Sequence, residues 1–103
     1  MNPSIFLLTC ANEKEADAIV QRLLKKRLIV CAKRMSVSSA FLWEGKIDSD
    51  EEVLVIMESH DKLFEKVEKE VRKLHSYDTP VLVSLPIHYV SRGIMEWMKD
   101  ELR

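Results

Sequence analysis

The sequence predicts an α+β sandwich of two layers, a four-stranded antiparallel sheet with two helices on one face. Three observations predict it. Apolar β-type runs and amphipathic helical stripes alternate in the order βαββαβ, with one more helix at the end. A single strong hairpin turn, Glu44-Gly45-Lys46, joins the second and third β runs. The 103 residues fit one domain, residues 1–103, with no linker, repeat or low-complexity stretch. Two split βαβ units in this order make the ferredoxin-like pattern, and right-handed crossovers then fix the strand order as 4-1-3-2.

Each element has its own signal. Ile5-Phe6-Leu7-Leu8 is a short apolar run with β character. Asn12 follows as a helix cap, and Glu15 stands three residues later at the capping-box spacing. Ala16, Ile19, Val20, Leu23 and Leu24 form the apolar stripe of the first helix, and its acidic-to-basic drift suits the helix dipole. Leu28 to Ala32 resumes β character and continues from Met35 through Trp43; a strand this long is expected to bend or bulge near its small residues. Val53 to Met57 is the third strand. Asp61 is placed to cap a second helix with the stripe Leu63, Phe64, Val67, Val71 and Leu74. His75 to Pro80 is a loop. Val81 to Leu85 is the fourth strand, limited by Pro86, and Ser91 is placed to cap a short last helix carrying Ile94, Met95, Trp97, Met98 and Leu102.

A sheet covered on one face alone alternates apolar and polar residues. Val53-Leu54-Val55-Ile56-Met57 and Val81-Leu82-Val83 are continuous instead. The second face therefore needs a cover, and self-association through the sheet supplies it. The competing reading is that the terminal helix and the long hairpin suffice.

Composition excludes several function classes. Lys plus Arg is 16, Asp plus Glu is 17 and the net charge is −1, which argues against a nucleic-acid module. The two glycines, Gly45 and Gly93, leave no glycine-rich phosphate loop. The Ile5–Leu8 run is too short for a signal peptide or a membrane span, so a cytoplasmic location without membrane contact is expected. Two cysteines make no disulfide framework.

Topology should gather Cys10, Trp43, Glu44, His75, Tyr77 and Asp78 at one end of the sheet. Cys31 begins the second strand at the other end, which argues against a Cys10–Cys31 disulfide. Cys10 with His75 is a soft-ligand pair suited to copper or zinc, although two ligands fall short of the usual four. A plainer reading stands beside it: Cys10 is a buried strand end, and His75 answers the C-terminal dipole of the second helix. His60 and His88 read as surface histidines, Asp48, Asp50, Glu51 and Glu52 as a solvated hairpin, and Trp43 and Trp97 as core or interface aromatics.

Trp43-Glu44-Gly45-Lys46-Ile47, an acidic stretch and then Glu52-Val53-Leu54 resemble the W-E-G-K-I/L hairpin of the CutA divalent-cation tolerance family. Thr9, Leu28 to Ala32, Leu74-His75-Ser76-Tyr77-Asp78-Thr79-Pro80, Leu85-Pro86 and Trp97 resemble its other motifs, so the likeness spans the chain. The resemblance implies a ferredoxin-like protomer with a long bent hairpin in a compact homotrimer, similar to the PII-like signalling proteins. It implies binding of a divalent metal ion, copper above all, a role in metal tolerance and no established catalytic activity. By position, His75 matches the metal-associated histidine, Cys31 the cysteine of the A-C motif, and Trp43, Tyr77 and Trp97 the recurrent aromatics. Cys10 is a further candidate ligand, and Trp43 and Tyr77 are candidate binding residues in clefts between subunits. Ser76 replaces the usual proline, and Val81 stands where many members carry glutamate. The alternative is a trimeric signalling or structural module that binds a small ligand or partner in those clefts.

Overall fold

The structure is a computed structural model that describes residues 1–103. Four strands, β1 (Pro3–Cys10), β2 (Cys31–Trp43), β3 (Lys46–His60) and β4 (Leu82–Pro86), form one antiparallel sheet in the order β2-β3-β1-β4. This is the expected order read from the opposite edge. Three helices accompany it: α1 (Glu13–Lys25), α2 (Phe64–Leu74) and α3 (Ile94–Glu101).

The core lies between the sheet and α1 and α2. Residues of β1 alternate strictly: Ser4, Phe6, Leu8 and Cys10 are buried against the helices, while Pro3, Ile5, Leu7 and Thr9 face away. On β3, Val53, Val55 and Met57 join the same core, with Ala16, Ile19 and Leu23 of α1 and Val67 and Val71 of α2. Phe6 meets Phe64 edge to face at 5.3 Å between ring centres. These apolar stripes, more than helix propensity, hold both helices in place.

Local chemistry sets the element ends. Asn12 Oδ1 accepts the Glu15 N–H at 2.8 Å and starts α1. Glu15 turns back as expected of a capping box, but reaches the N–H of Ala11, one residue before the cap. The end of α1 differs from its sequence signal. Arg27, at φ 58°, takes the left-handed position usually given to glycine. The N–H of Leu28 then bonds to the Leu23 carbonyl and that of Arg27 to the Leu24 carbonyl, the paired bonds of a Schellman ending. Leu28 and Ile29 are consequently core residues on a turn, and β2 begins only at Cys31.

Other boundaries move for similar reasons. Asp61 makes no capping bond; it opens a single 3-10 turn, and its carboxylate accepts from Asn2 instead. Gly93, at φ 93°, precedes α3 in place of the expected Ser91 cap, and Ser91 contributes only its carbonyl. The β2–β3 ladder keeps one register from Cys31↔Glu58 to Trp43↔Lys46, so the expected bulge is absent. Glu44 and Gly45 close that ladder with positive φ at both positions, the signature of a type I′ hairpin.

Candidate metal centre

Three donor side chains converge where β1 ends. Cys10 is the last residue of β1 and points into the core, fully buried. Glu15 lies in the first turn of α1, and His75 directly follows α2. The two helices run antiparallel, so the start of α1 and the end of α2 meet beside Cys10. The Cys10 sulfur, a Glu15 carboxylate oxygen and a His75 ring nitrogen all lie within 4.8 Å of one another. The His75 Nε2–Glu15 Oε2 separation is 3.7 Å, and the imidazole is shut off from water.

Two of the three donors, His75 and Glu15, are already engaged. His75 Nε2 lies 2.8 Å from the Thr9 carbonyl oxygen, and Nδ1 accepts the Tyr77 N–H at 3.1 Å. Glu15 accepts the N–H of Ala11 through one oxygen and that of Ser76 through the other. Burial pushes the Glu15 carboxyl up, but the bonds from Ser76 and Ala11 and the nearby His75 outweigh it, so it stays below the ordinary range. Burial first, then the negative field of Glu15 and Glu52, pushes the Cys10 thiol up to about 12. Cys10 is therefore a thiol, not a thiolate, in the protein as folded.

Tyr77 extends the network. Its hydroxyl donates to Glu52 Oε2 at 2.7 Å, and burial together with that carboxylate pushes its ionisation well above the ordinary value. Its ring stands 4.7 Å from the His75 ring, centre to centre.

The structure brings Cys10, His75 and Tyr77 together as the topology required, but not Trp43 or Glu44. Cys10 pairs with Val53, and β3 continues outward through Lys46 to Glu52 before the turn. At about 3.4 Å per residue that stretch carries Trp43 on the order of 24 Å beyond Cys10. Cys31 pairs with Glu58 at the other end of β3, where Lys33 Nζ approaches its sulfur at 3.4 Å and Glu58 at 2.9 Å. Both cysteines are free. His60 is no surface histidine: it closes β3, is only 9 % exposed, and its Nδ1 has no partner. Desolvation lowers its basicity.

Two site residues lie outside the sequence-based expectation. Glu15 carries only a capping signal in the sequence, although its place beside the end of β1 puts it next to Cys10. Glu52 belongs by pattern to the solvated acidic run, yet it is half-buried at the foot of the projecting hairpin.

Residues 4–101 match the family model described as CutA1 divalent ion tolerance protein. The chain belongs to the CutA1 divalent ion tolerance family. The Divalent-cation tolerance protein CutA of Pyrococcus horikoshii is 31% identical over 99 residues, covering 96% of this chain and 97% of the relative. Among solved structures, the Periplasmic divalent cation tolerance protein CutA of Archaeoglobus fulgidus superposes with a TM-score of 0.95 at 31% identity, covering 98% of this chain and 99% of that one. The divalent cation tolerance protein (Cut A1) of Thermus thermophilus gives a TM-score of 0.95 at 27% identity over 98% and 99% of the two chains. The CutA1 family thus fixes both the fold and the general role, divalent-cation tolerance. No helix is long and apolar enough to cross a membrane.

Proposed function

We propose that the chain works as a homotrimer that binds a divalent metal ion, copper above all, held by Cys10, Glu15 and His75. The observation that carries this reading is the convergence of a thiol, a carboxylate and an imidazole within 4.8 Å. The relatives' names, divalent-cation tolerance proteins, agree with it.

The donor set fits in kind. One sulfur, one imidazole nitrogen and one carboxylate oxygen suit a borderline-soft cation such as copper or zinc, not magnesium or calcium. Ligand atoms of a tetrahedral site with bonds of about 2.0–2.3 Å lie roughly 3.3–3.8 Å apart. The His75–Glu15 separation of 3.7 Å already matches, so those two side chains need little movement relative to each other. Glu15 and Cys10 would offset the charge of an ion held there, in a pocket that is nearly dry. Cys10 must give up its proton, so binding releases a proton and weakens as pH falls. A fourth ligand comes from water or a second subunit. Cys31 supplies none within one protomer.

The trimer is supported by what one chain leaves uncovered. The sheet face away from the helices presents Ile5, Leu7, Leu54 and Ile56, flanked by the exposed Val83 and Leu85 of β4 and Met35 of β2. The hairpin tip adds Leu42, Trp43 and Ile47, each more than half exposed. Apolar surface on this scale marks an interface. In such an assembly Trp43 and Tyr77 border clefts between subunits, where a small ligand would also lodge. A cytoplasmic location is part of the same proposal.

Calorimetric titration with Cu(II) and Zn(II) tests the site. One ion per chain is expected for the parent, with affinity reduced at least about tenfold in His75→Ala, a loss of about 1.4 kcal/mol or more. Equal binding by the two proteins would remove the assigned site. Light scattering on the eluting protein should give three times the mass of the chain.

A further inference from the structure

His75 has one proton for two ring nitrogens, and its neighbours decide where that proton resides. The Thr9 carbonyl oxygen, 2.8 Å from Nε2, can only accept, so Nε2 carries the hydrogen. Nδ1 accepts the Tyr77 backbone N–H at 3.1 Å. Nε2 is also the nitrogen that lies 3.7 Å from Glu15, while its hydrogen points at the Thr9 carbonyl. A ring nitrogen that holds a cation carries no hydrogen, and in a neutral imidazole the hydrogen then sits on the other nitrogen. Nδ1–H and Tyr77 N–H would become two donors pointed at each other. That contact cannot persist, so the Tyr77 backbone must withdraw.

Tyr77 is anchored at its far end as well. Its hydroxyl bonds to Glu52 at 2.7 Å, and Glu52 precedes Val53, the partner of Cys10, at the foot of the hairpin. The tilted packing of the Tyr77 ring on the His75 ring couples ring to ring. Withdrawal of the Tyr77 backbone therefore loads the bond to Glu52 on β3.

We propose that Tyr77 is a latch on the metal cluster. Closed, it holds His75 in the tautomer whose Nε2 cannot take a cation; occupation of the cluster releases Tyr77 from His75 and strains its tie to Glu52. Tyr77 is thus a positioning residue that links the cluster to the hairpin foot, and the proposal rests on the metal reading given above. Because the closed state competes with binding, weakening the latch should strengthen binding.

Heteronuclear NMR of the full chain with Zn(II) tests this. Long-range nitrogen–proton correlations should show Nε2–H on His75 before Zn(II) and Nδ1–H after one equivalent, with the Tyr77 and Glu52 amide signals shifting in step. Tyr77→Phe, which removes only the hydroxyl bond, should bind Zn(II) about three- to tenfold tighter, the worth of one hydrogen bond. Glu52→Ala should do the same from the other side of that bond. The latch is overturned if both variants bind Zn(II) like the parent and the Tyr77 amide stays put while His75→Ala loses binding; the metal site then survives. Undiminished binding in His75→Ala removes the site itself, and the latch with it. If either variant does not fold, the tautomer and amide shifts of the parent still decide.

Discussion

Glu70 sits between α1 and α2 with its side chain 7 % exposed, and three cations meet it: Arg22 at 3.0 Å, Lys73 at 3.2 Å and Lys26 at 3.4 Å. Arg22 foremost holds its carboxyl down at about 2, against the upward push of burial, with Lys73 and Lys26 assisting. In the unfolded chain the same group titrates near 4.5. Its folded value is depressed, so its contribution is complete above about pH 4.5 and is lost as pH falls towards about 2. Glu70→Gln should therefore lower the thermal midpoint by a few degrees at pH 7 and hardly at all near pH 2, as read by melting curves at both pH values. A second residue-scale prediction concerns the hairpin turn. Glu44 holds φ 50°, a conformation that asparagine tolerates better than glutamate. Glu44→Asn should stabilise the protein by about 0.5–1 kcal/mol in denaturant unfolding. The turn itself is legible in the sequence, because Gly45 marks it. Arg27 is not: nothing about an arginine announces a left-handed helix ending, and only the Leu28–Leu23 and Arg27–Leu24 bonds reveal it. The burial of His60 is equally silent, because it comes from the strand end that His60 closes and not from any pattern around it.

Among the elements, the long hairpin separates what periodicity can show from what it cannot. Val53 to Met57 is apolar enough to read as a strand, whereas Lys46 to Glu52 is largely polar and reads as loop. Backbone hydrogen bonds to β2 carry that polar stretch as strand regardless of its side chains. A short third strand would put Trp43 beside Cys10; the full-length one carries it to a distant tip. Cys10 and His75 can be brought together from sequence because only the order and direction of β1, α1 and α2 are needed. The sheet itself yields a prediction at this scale. Val83 on β4 is 43 % exposed in one chain and sits beside Leu7 on the uncovered face. In a lone chain, Val83→Asp would cost only about 1 kcal/mol, the penalty for aspartate in a half-exposed strand position. If that face is buried between copies, the aspartate loses its water and the assembly separates, so light scattering should report the mass of a single chain.

The whole molecule measures 45 × 26 × 21 Å, elongated by the hairpin, and buries only 20 of its 103 residues. So small a core in a chain with this much exposed apolar strand surface is the argument for assembly, and it predicts a thermal midpoint that rises with protein concentration. Melting curves over a hundredfold range of concentration check it; a constant midpoint would favour a chain that is complete alone. Family membership settles the fold and the general role, and we propose that the donor cluster gives that role its place on the chain. The most direct test of that placement is X-ray absorption at the zinc edge, on protein loaded with one equivalent of Zn(II). The cluster predicts one sulfur neighbour at about 2.3 Å together with an imidazole nitrogen at about 2.0–2.1 Å. A shell of nitrogen and oxygen without sulfur would contradict it, because Cys10 would then take no part in holding the ion.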